Sequence, residues 1–312
     1  MSHKIQPIYI AGPTASGKSE LAIRLARKLD GIVISADSMQ IYKGLDIGTA
    51  KVSKQIRDEI PHKLIDIVNF DEEYSVAQFA EDAKTEINSA IKCGKLPIIV
   101  GGTGLYFESL FYPMSFGHTV KDEKLRESLK RDYEMYGGAA LHDRLRALDA
   151  ETANRLHEND AKRIIRALEI ILTTGKTLSQ NGDERKNVDV IAVAFNDERQ
   201  KLYDRINARV DQMFKDGLPQ EALSIKRFDC QSMQAIGYKE FANCKYDIVD
   251  GNYVLDSQEE TRIKEEIKKH TRNYAKRQIT WFKRYSFIKW FNCGDYDGAM
   301  QYIINRLNTK NS

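Results

Sequence analysis

The stretch AGPTASGKSELA, residues 11–22, contains Gly-x-x-x-x-Gly-Lys-Ser between Gly12 and Ser19. Glycines at both ends let the backbone turn tightly, so that several N–H groups converge on one anion. A helix starting near Ser16 adds the partial positive charge of its N-terminus. Lys18 supplies a full charge, and the Ser19 hydroxyl can ligate Mg²⁺. Gly12, Pro13, Thr14, Ala15, Ser16, Gly17, Lys18 and Ser19 are therefore candidates for a phosphate loop of the nucleotide-binding type. The bland alternative is a glycine-rich turn that binds nothing.

The flanks support the loop. KIQPIYIAG before it reads as a buried strand, and after it Leu21, Ala22, Leu25 and Leu29 share one side of a helix running to Leu29. GIVISADS is a second strand, Ser75 to Ile91 a helix, and KLPIIVGGTG a third strand ending in glycines. Alternating strands and helices predict an α/β fold with a parallel sheet flanked by helices. Ligands of such a sheet bind beyond the carboxyl ends of its strands, where the loop, Asp37 and Thr103 all fall.

From about residue 116 to 187 the pattern becomes purely helical. Leu125, Leu129, Tyr133 and Tyr136 recur at helical spacing, then Leu141, Leu145 and Leu148, then Ile164, Ile165, Leu168 and Leu172. This run is entered through YPMSFGH and left through TLSQNGDERKN, and it reads as an inserted all-helical domain. The catalytic core then comprises residues 1–115 and 188–312. VDVIAVAFN returns to the sheet, and Leu202, Ile206, Val210 and Met213 mark the helix after it.

A final helix is expected over Ser257 to Phe282. Between Arg262 and Lys289 ten Lys or Arg stand against two Glu, although the whole chain of 312 residues carries only +3. Both tryptophans, Trp281 and Trp290, lie in or beside this stretch, with Tyr274, Phe282, Tyr285 and Phe287. Basic residues interleaved with aromatics suit phosphates and bases. They equally suit an amphipathic helix with a solvated face and aromatic core contacts.

The four cysteines, Cys93, Cys230, Cys244 and Cys293, form no Cys-x-x-Cys pair, which points to a reducing compartment and against a zinc site. The N-terminal apolar run is too short for a signal peptide or membrane span, so a cytoplasmic protein without membrane attachment is expected. An ATP-driven machine would carry an apolar strand ending in an acid that helps hold Mg²⁺. Here the third strand ends in Gly101, Gly102 and Thr103, and Asp66 in LIDIV is a poor substitute. A small-molecule kinase and a transferase using the loop for a diphosphate both remain. Asp37, after the second strand, suits a proton acceptor or metal ligand, or simply a side-chain cap of the next segment.

GPTASGKS, ISADSMQIYKGLDIGTAK, PHKLID, EYSVAQF, VGGTGLYF and AKRQITWFKR together resemble the tRNA dimethylallyltransferase family, from residue 12 to residue 284. The resemblance implies a P-loop kinase-like fold with a helical insertion. It implies transfer of a dimethylallyl group from dimethylallyl diphosphate to N6 of the adenosine 3′ of the anticodon. The loop would hold the departing diphosphate with Mg²⁺. Asp37 would take the N6 proton, Thr103 contact the diphosphate, and Arg209 bind it. The tRNA anticodon stem-loop would meet Asp37, Ser38, Met39 and Gln40; Lys162, Arg163 and Arg166; Gln234, Gly237, Tyr238 and Lys239; and Lys276, Arg277, Gln278, Trp281 and Lys283. Ala161 and Lys162 depart from the family's usual residues there. A monomer is expected. Three competing readings are a relative that prenylates free adenine nucleotides, a nucleotide kinase, and a non-catalytic RNA-binding module. The first would not need the basic helix or the insertion, the second would turn over ATP, and the third would have no use for Lys18, Asp37 and Thr103 together.

Overall fold

The computed structural model describes residues 5–112, 122–178, 189–225 and 229–311, with residues 310 and 311 by backbone alone. The expected entrance and exit of the insertion, YPMSFGH and TLSQNGDERKN, fall almost wholly outside these residues. The chain divides into two compact units, 1–111 with 188–312, and 112–187.

In the first unit, β1 (Ile8–Ala11), β2 (Gly31–Ser35), β3 (His62–Lys63), β4 (Leu96–Val100), β5 (Ile191–Asn196) and β8 (Lys289–Asn292) form one sheet in the order β3-β2-β4-β1-β5-β8. Every pairing in it is parallel. β1 and β4 are buried along their whole length, as apolar strands covered on both faces must be. Helices α1 (Lys18–Leu29), α2 (Lys54–Glu59), α3 (Val76–Lys92) and α4 (Gly104–Phe111) belong to the first half of this unit. α3 starts with a full capping box between Ser75 and Gln78. Then come α8 (Arg199–Lys215), α9 (Leu218–Ile225), α10 (Ser257–Phe282) and α11 (Tyr296–Asn311). β6 (Asp247–Val249) and β7 (Asn252–Val254) make a hairpin whose turn residues, Asp250 and Gly251, both have positive φ, as its tight turn requires.

One expectation is corrected. α10 is not the last element, because β8 and α11 follow it, and Ala299 and Ile303 of α11 are fully buried in the core with Leu21, Ile98 and Val193. Much of the aromatic content near α10 is core as well. Phe282 and Tyr285 are 0% and 3% exposed and meet Phe107 and Phe111 edge-on.

The second unit contains α5 (Glu123–Leu148), α6 (Ala150–Arg155) and α7 (Ala161–Thr174), and no strand among its described residues. α5 is broken at Gly137, whose φ of 82° and ψ of 168° interrupt the helix between the two apolar runs read from sequence. Leu129, Leu141, Leu145, Ile164, Ile165 and Leu168 form the core. Tyr136, Leu148 and Leu172, expected on apolar faces, are 65%, 42% and 42% exposed. Glu169 is fully buried, and Arg126 and Arg166 donate to it at 2.8 and 3.0 Å.

Candidate active site

Strand order explains why distant motifs meet. β4 lies between β1 and β2, so the turn after it falls between the loop after β1 and the acid after β2. Gly101 N–H donates to Ile10 O, Ala36 N–H to Val100 O, and Thr103 N–H to Ala36 O. The glycines of GGTG are there for close approach. A Cβ on Gly101 would overlap the Ala36 backbone, on Gly102 the Gln278 amide, and on Gly104 the Trp281 ring.

The phosphate loop has the backbone its sequence demands, with positive φ at Gly12, Ala15 and Gly17. Gly17 caps α1 without any side-chain hydrogen bond. The caps of α2, α3, α5, α6, α7 and α10 instead use Ser53, Ser75, Asp122, Asp149, Asp160 and Asp256. The first N–H groups of α1 are thus left for an anion.

In front of the loop lies a cavity of about 350 Å³. Thr14, Lys18, Ser19, Asp37, Ser38, Met39, Gln40, Arg209, Gln234, Gly237, Lys239, Arg277 and Gln278 line it, so the structure collects sites expected from five separate segments. Thr103 stands just behind the wall, its Oγ1 accepting the Ser38 N–H at 3.0 Å. Two helices contribute stripes at helical spacing, Ile206, Arg209, Val210 and Met213 from α8, and Ile267, Thr271, Tyr274 and Gln278 from α10.

The electrostatics favour an anion. Burial, helped by the Arg209 guanidinium and opposed by Asp37, brings the Lys18 ammonium down to about 8. Arg209 is also lowered by burial, with Asp37 opposing. Two cations held together in a low-dielectric pocket repel each other, and a bound anion relieves both. Lys18 Nζ meanwhile donates to Pro13 O at 2.6 Å. Asp37 Oδ1 accepts the Met39 N–H at 3.0 Å, so the capping role read from sequence is present whatever else the carboxylate does.

Other expected residues are placed differently. Gln278 is 5% exposed and Tyr238 is fully buried, so neither stands on the outer surface. Gln278 accepts the Thr14 N–H at 3.0 Å and donates to Gly102 O at 2.8 Å, joining α10 to the phosphate loop. Trp281 packs against Gly104 beneath the Arg284 guanidinium, 3.9 Å from its ring. Asp66 does not serve the loop: it pairs with Lys51 and Arg57. Lys162 and Arg163 are exposed on α7, Arg163 paired with Asp160 and Arg166 with the buried Glu169. In the first half of α10, Arg262, Lys264 and Lys268 are matched by carboxylates. Lys276, Arg277 and Lys283 are exposed, with no carboxylate partner among the described residues.

Sequence reasoning missed His62 and Tyr274 as cavity residues. The His62 ring is held by Nδ1 against Ile60 O at 2.7 Å, and burial lowers its pKa. Burial raises Tyr274, with Asp37 adding to the effect. Tyr274 could have been found, since it lies four residues before Gln278 on one helix face.

A phosphate loop, two cations and a carboxylate in one cavity define a P-loop-type enzyme that handles a phosphorylated substrate. Comparison with known proteins narrows the class. The family model IPP transferase matches residues 40–285, and Isopentenyl transferase matches residues 5–59. A tRNA dimethylallyltransferase of Caldanaerobacter subterraneus subsp. tengcongensis is 47% identical, over 97% of this chain and 99% of the relative. That of Bacillus subtilis is 43% identical, over 94% and 92%. The crystal structure of a tRNA isopentenylpyrophosphate transferase from Bacillus halodurans superposes with a TM-score of 0.70 at 39% identity, covering 98% of both chains. A eukaryotic dimethylallyltransferase acting on tRNA gives 0.78 at 29% identity, over 96% of this chain and 77% of that one. The chain belongs to the tRNA dimethylallyltransferase family.

Proposed function

We infer that this chain is a transferase that moves the dimethylallyl group of dimethylallyl diphosphate onto N6 of the adenosine 3′-adjacent to the anticodon in tRNA. It would act as a monomer. The observation that carries the reading is the gathering of Lys18, Arg209 and Asp37 in one cavity in front of a helix with no side-chain cap. As the allylic C–O bond breaks, positive charge spreads over the five-carbon unit and negative charge collects on the leaving diphosphate. Lys18, Arg209 and the loop amides meet that charge where it develops, so they lower the barrier and do more than bind the donor. N6 attacks the allylic carbon, the new C–N bond forms, and Asp37 takes the proton that N6 releases. Thr103 keeps Ser38, and with it the turn carrying Asp37, in place.

Ser19 is exposed at the start of α1 and lines the cavity, which fits a Mg²⁺ ion held by one hydroxyl together with the donor's phosphates. Among the described residues no three His, Cys, Asp or Glu gather into a metal site, so such an ion would depend on the diphosphate for its remaining ligands. When bound, it would neutralise charge on the leaving group. The acceptor would meet Asp37 to Gln40 on one side and Gln234, Gly237 and Lys239 on the other. Lys276, Arg277 and Lys283, with Lys162 and Arg163, would hold tRNA phosphates. No described helix is long and apolar enough to cross a membrane, and we place the enzyme in the cytoplasm, where its substrate is.

Incubation with radiolabelled dimethylallyl diphosphate and either unmodified tRNA or AMP tests the reading. Label should enter tRNA without ATP, and inorganic pyrophosphate should compete with the donor. Label in AMP but not tRNA, or strict ATP dependence, would overturn it.

A further inference from the structure

Glu221 of α9 is held in a way the transfer chemistry does not require. Its Oε2 accepts the N–H groups of Asp46 and Ile47 at 2.9 and 2.8 Å. Its Oε1 accepts those of Ile47 and Gly48 at 2.9 and 3.0 Å, and the Tyr238 hydroxyl at 2.6 Å. Three successive amides aimed at one point form an anion-binding concavity, as in a phosphate loop. Here the anion belongs to the protein.

The consequences run straight to the cavity wall. The amides that Glu221 holds lead into Gly48, Thr49 and Ala50, all of which line the cavity. The carbonyls of Thr49 and Ala50 accept from Gln40 Nε2 at 3.2 and 3.4 Å, while Gln40 Oε1 accepts from the Ser35 hydroxyl at 3.0 Å. Gln40 therefore takes its orientation from the segment that Glu221 pins. On the other side, Tyr238 is fully buried, and its ring fills the space where a Cβ on Gly48 would stand. Gly237, with φ of 97°, faces the Gly48 backbone, and its own N–H is held by Glu240 Oε2 at 2.8 Å. Glu240 in turn accepts from His270 Nδ1 on α10 at 2.6 Å.

We propose that Glu221 is a positioning residue for the acceptor. By binding the 46–48 amides and Tyr238 at once, it fixes the separation of the loops 37–50 and 234–239. The inference rests on the reading that the acceptor base enters between those loops. The donor cations, Lys18 and Arg209, are not bonded to this network, so the two substrates should respond differently when it is cut.

The test is steady-state kinetics with each substrate varied in turn, on Glu221→Gln, Tyr238→Phe and Gln40→Ala, with Tm measured alongside. Glu221→Gln keeps the shape but turns one acceptor atom into a donor that faces N–H groups. It should raise KM for tRNA about tenfold, as expected when hydrogen bonds to a charged group are lost. KM for dimethylallyl diphosphate should change less than about twofold, since uniform binding of that substrate is untouched. Tyr238→Phe should shift tRNA KM in the same direction by less. Combining Glu221→Gln with Gln40→Ala should add little to Gln40→Ala alone, because both act through one network.

Should Glu221→Gln not fold, folded Tyr238→Phe carries the test, and an unchanged tRNA KM there overturns the proposal. It is also overturned if Glu221→Gln leaves tRNA KM unchanged while Gln40→Ala raises it. Equal damage to both substrates in step with a lower Tm would likewise reduce Glu221 to a structural residue. If Gln40→Ala itself leaves tRNA KM unchanged, the acceptor reading falls and the proposal falls with it.

Discussion

The turn that Asp37 holds and the proton transfer proposed for it can be separated by a single substitution. Asp37 Oδ1 holds the Met39 N–H, a task that asparagine performs equally well, whereas accepting a proton requires the carboxylate. Asp37→Asn and Asp37→Ala should both lower turnover by about 10²-fold or more, with tRNA affinity within a few fold. Single-turnover kinetics with donor and tRNA saturating gives the answer, and near-normal turnover in the asparagine variant would leave Asp37 only the turn. Lys18 supplies a pH signature. Its pKa of about 8 in the open cavity lies below the ordinary lysine value, so above pH 8 the group is mostly neutral. A bound diphosphate favours the ammonium, so binding of pyrophosphate should take up a proton as pH rises through 8, and affinity should fall there. Calorimetry in buffers of different ionisation enthalpy measures that proton, and Lys18→Ala should abolish it. An uptake of zero at pH 8.5 in the unaltered protein would show that Lys18 does not feel the anion. At this scale the charged loop residues were legible, because a phosphate site needs those residue types at that spacing. Gln278 was not, because a polar residue in a basic helix reads as surface until its two backbone partners are seen.

α10 combines two surfaces in one helix. Its first half is ion-paired: Arg262 with Glu259 and Glu266, Lys264 with Glu260, Lys268 with Asp211 and Glu265. Such pairs leave little field for a polyanion, while Lys276, Arg277 and Lys283 keep theirs. Replacing Lys276 and Arg277 by Ala should weaken tRNA binding and reduce its salt dependence by a slope of about one per lost phosphate contact. Pyrophosphate binding should change much less, because Lys18 and Arg209 stay in place. An unchanged salt slope, measured by titration at several ionic strengths, would return these residues to the solvated helix face. The extent of α10 was readable from its charge and apolar periodicity, ending at Phe282 as expected. The strand after it was not, since β8 is four residues on a sheet edge with no buried residue. Nor did α11 announce itself, because among its described side chains only Ala299 and Ile303 are fully buried. The exposed Tyr136 and Leu148 show the limit of periodicity, which fixes a face without saying whether anything covers it.

For the molecule as a whole, the change from alternating strands and helices to helices alone was visible in the hydrophobic periods, and the strand order was not. Order depends on pairings between residues about ninety apart, such as Ile8 with Ile98. The helical unit carries its own polar lock, with the Glu169 carboxylate fully buried between Arg126 and Arg166. Glu169→Ala should destabilise that unit by about 2 kcal/mol, below the cost of breaking a fully buried pair because both arginines reach solvent. Hydrogen exchange should then quicken in α5 and α7 while β1, β4 and β5 stay protected; uniform quickening would mean that the units unfold together. The burial of Ala299 and Ile303 against Leu21 has a consequence for synthesis on the ribosome. The phosphate loop is translated within the first twenty residues, but the core behind it cannot close until some 280 more have emerged. Until then β5 has an unpaired edge that β8 later covers, and unpaired edges invite aggregation. Nascent chains arrested before Ile288 should therefore remain protease-sensitive near Leu21 and engage holding chaperones, while chains extended past Ile303 should not. Equal protection of the two lengths would show that the N-terminal half closes without its last helix.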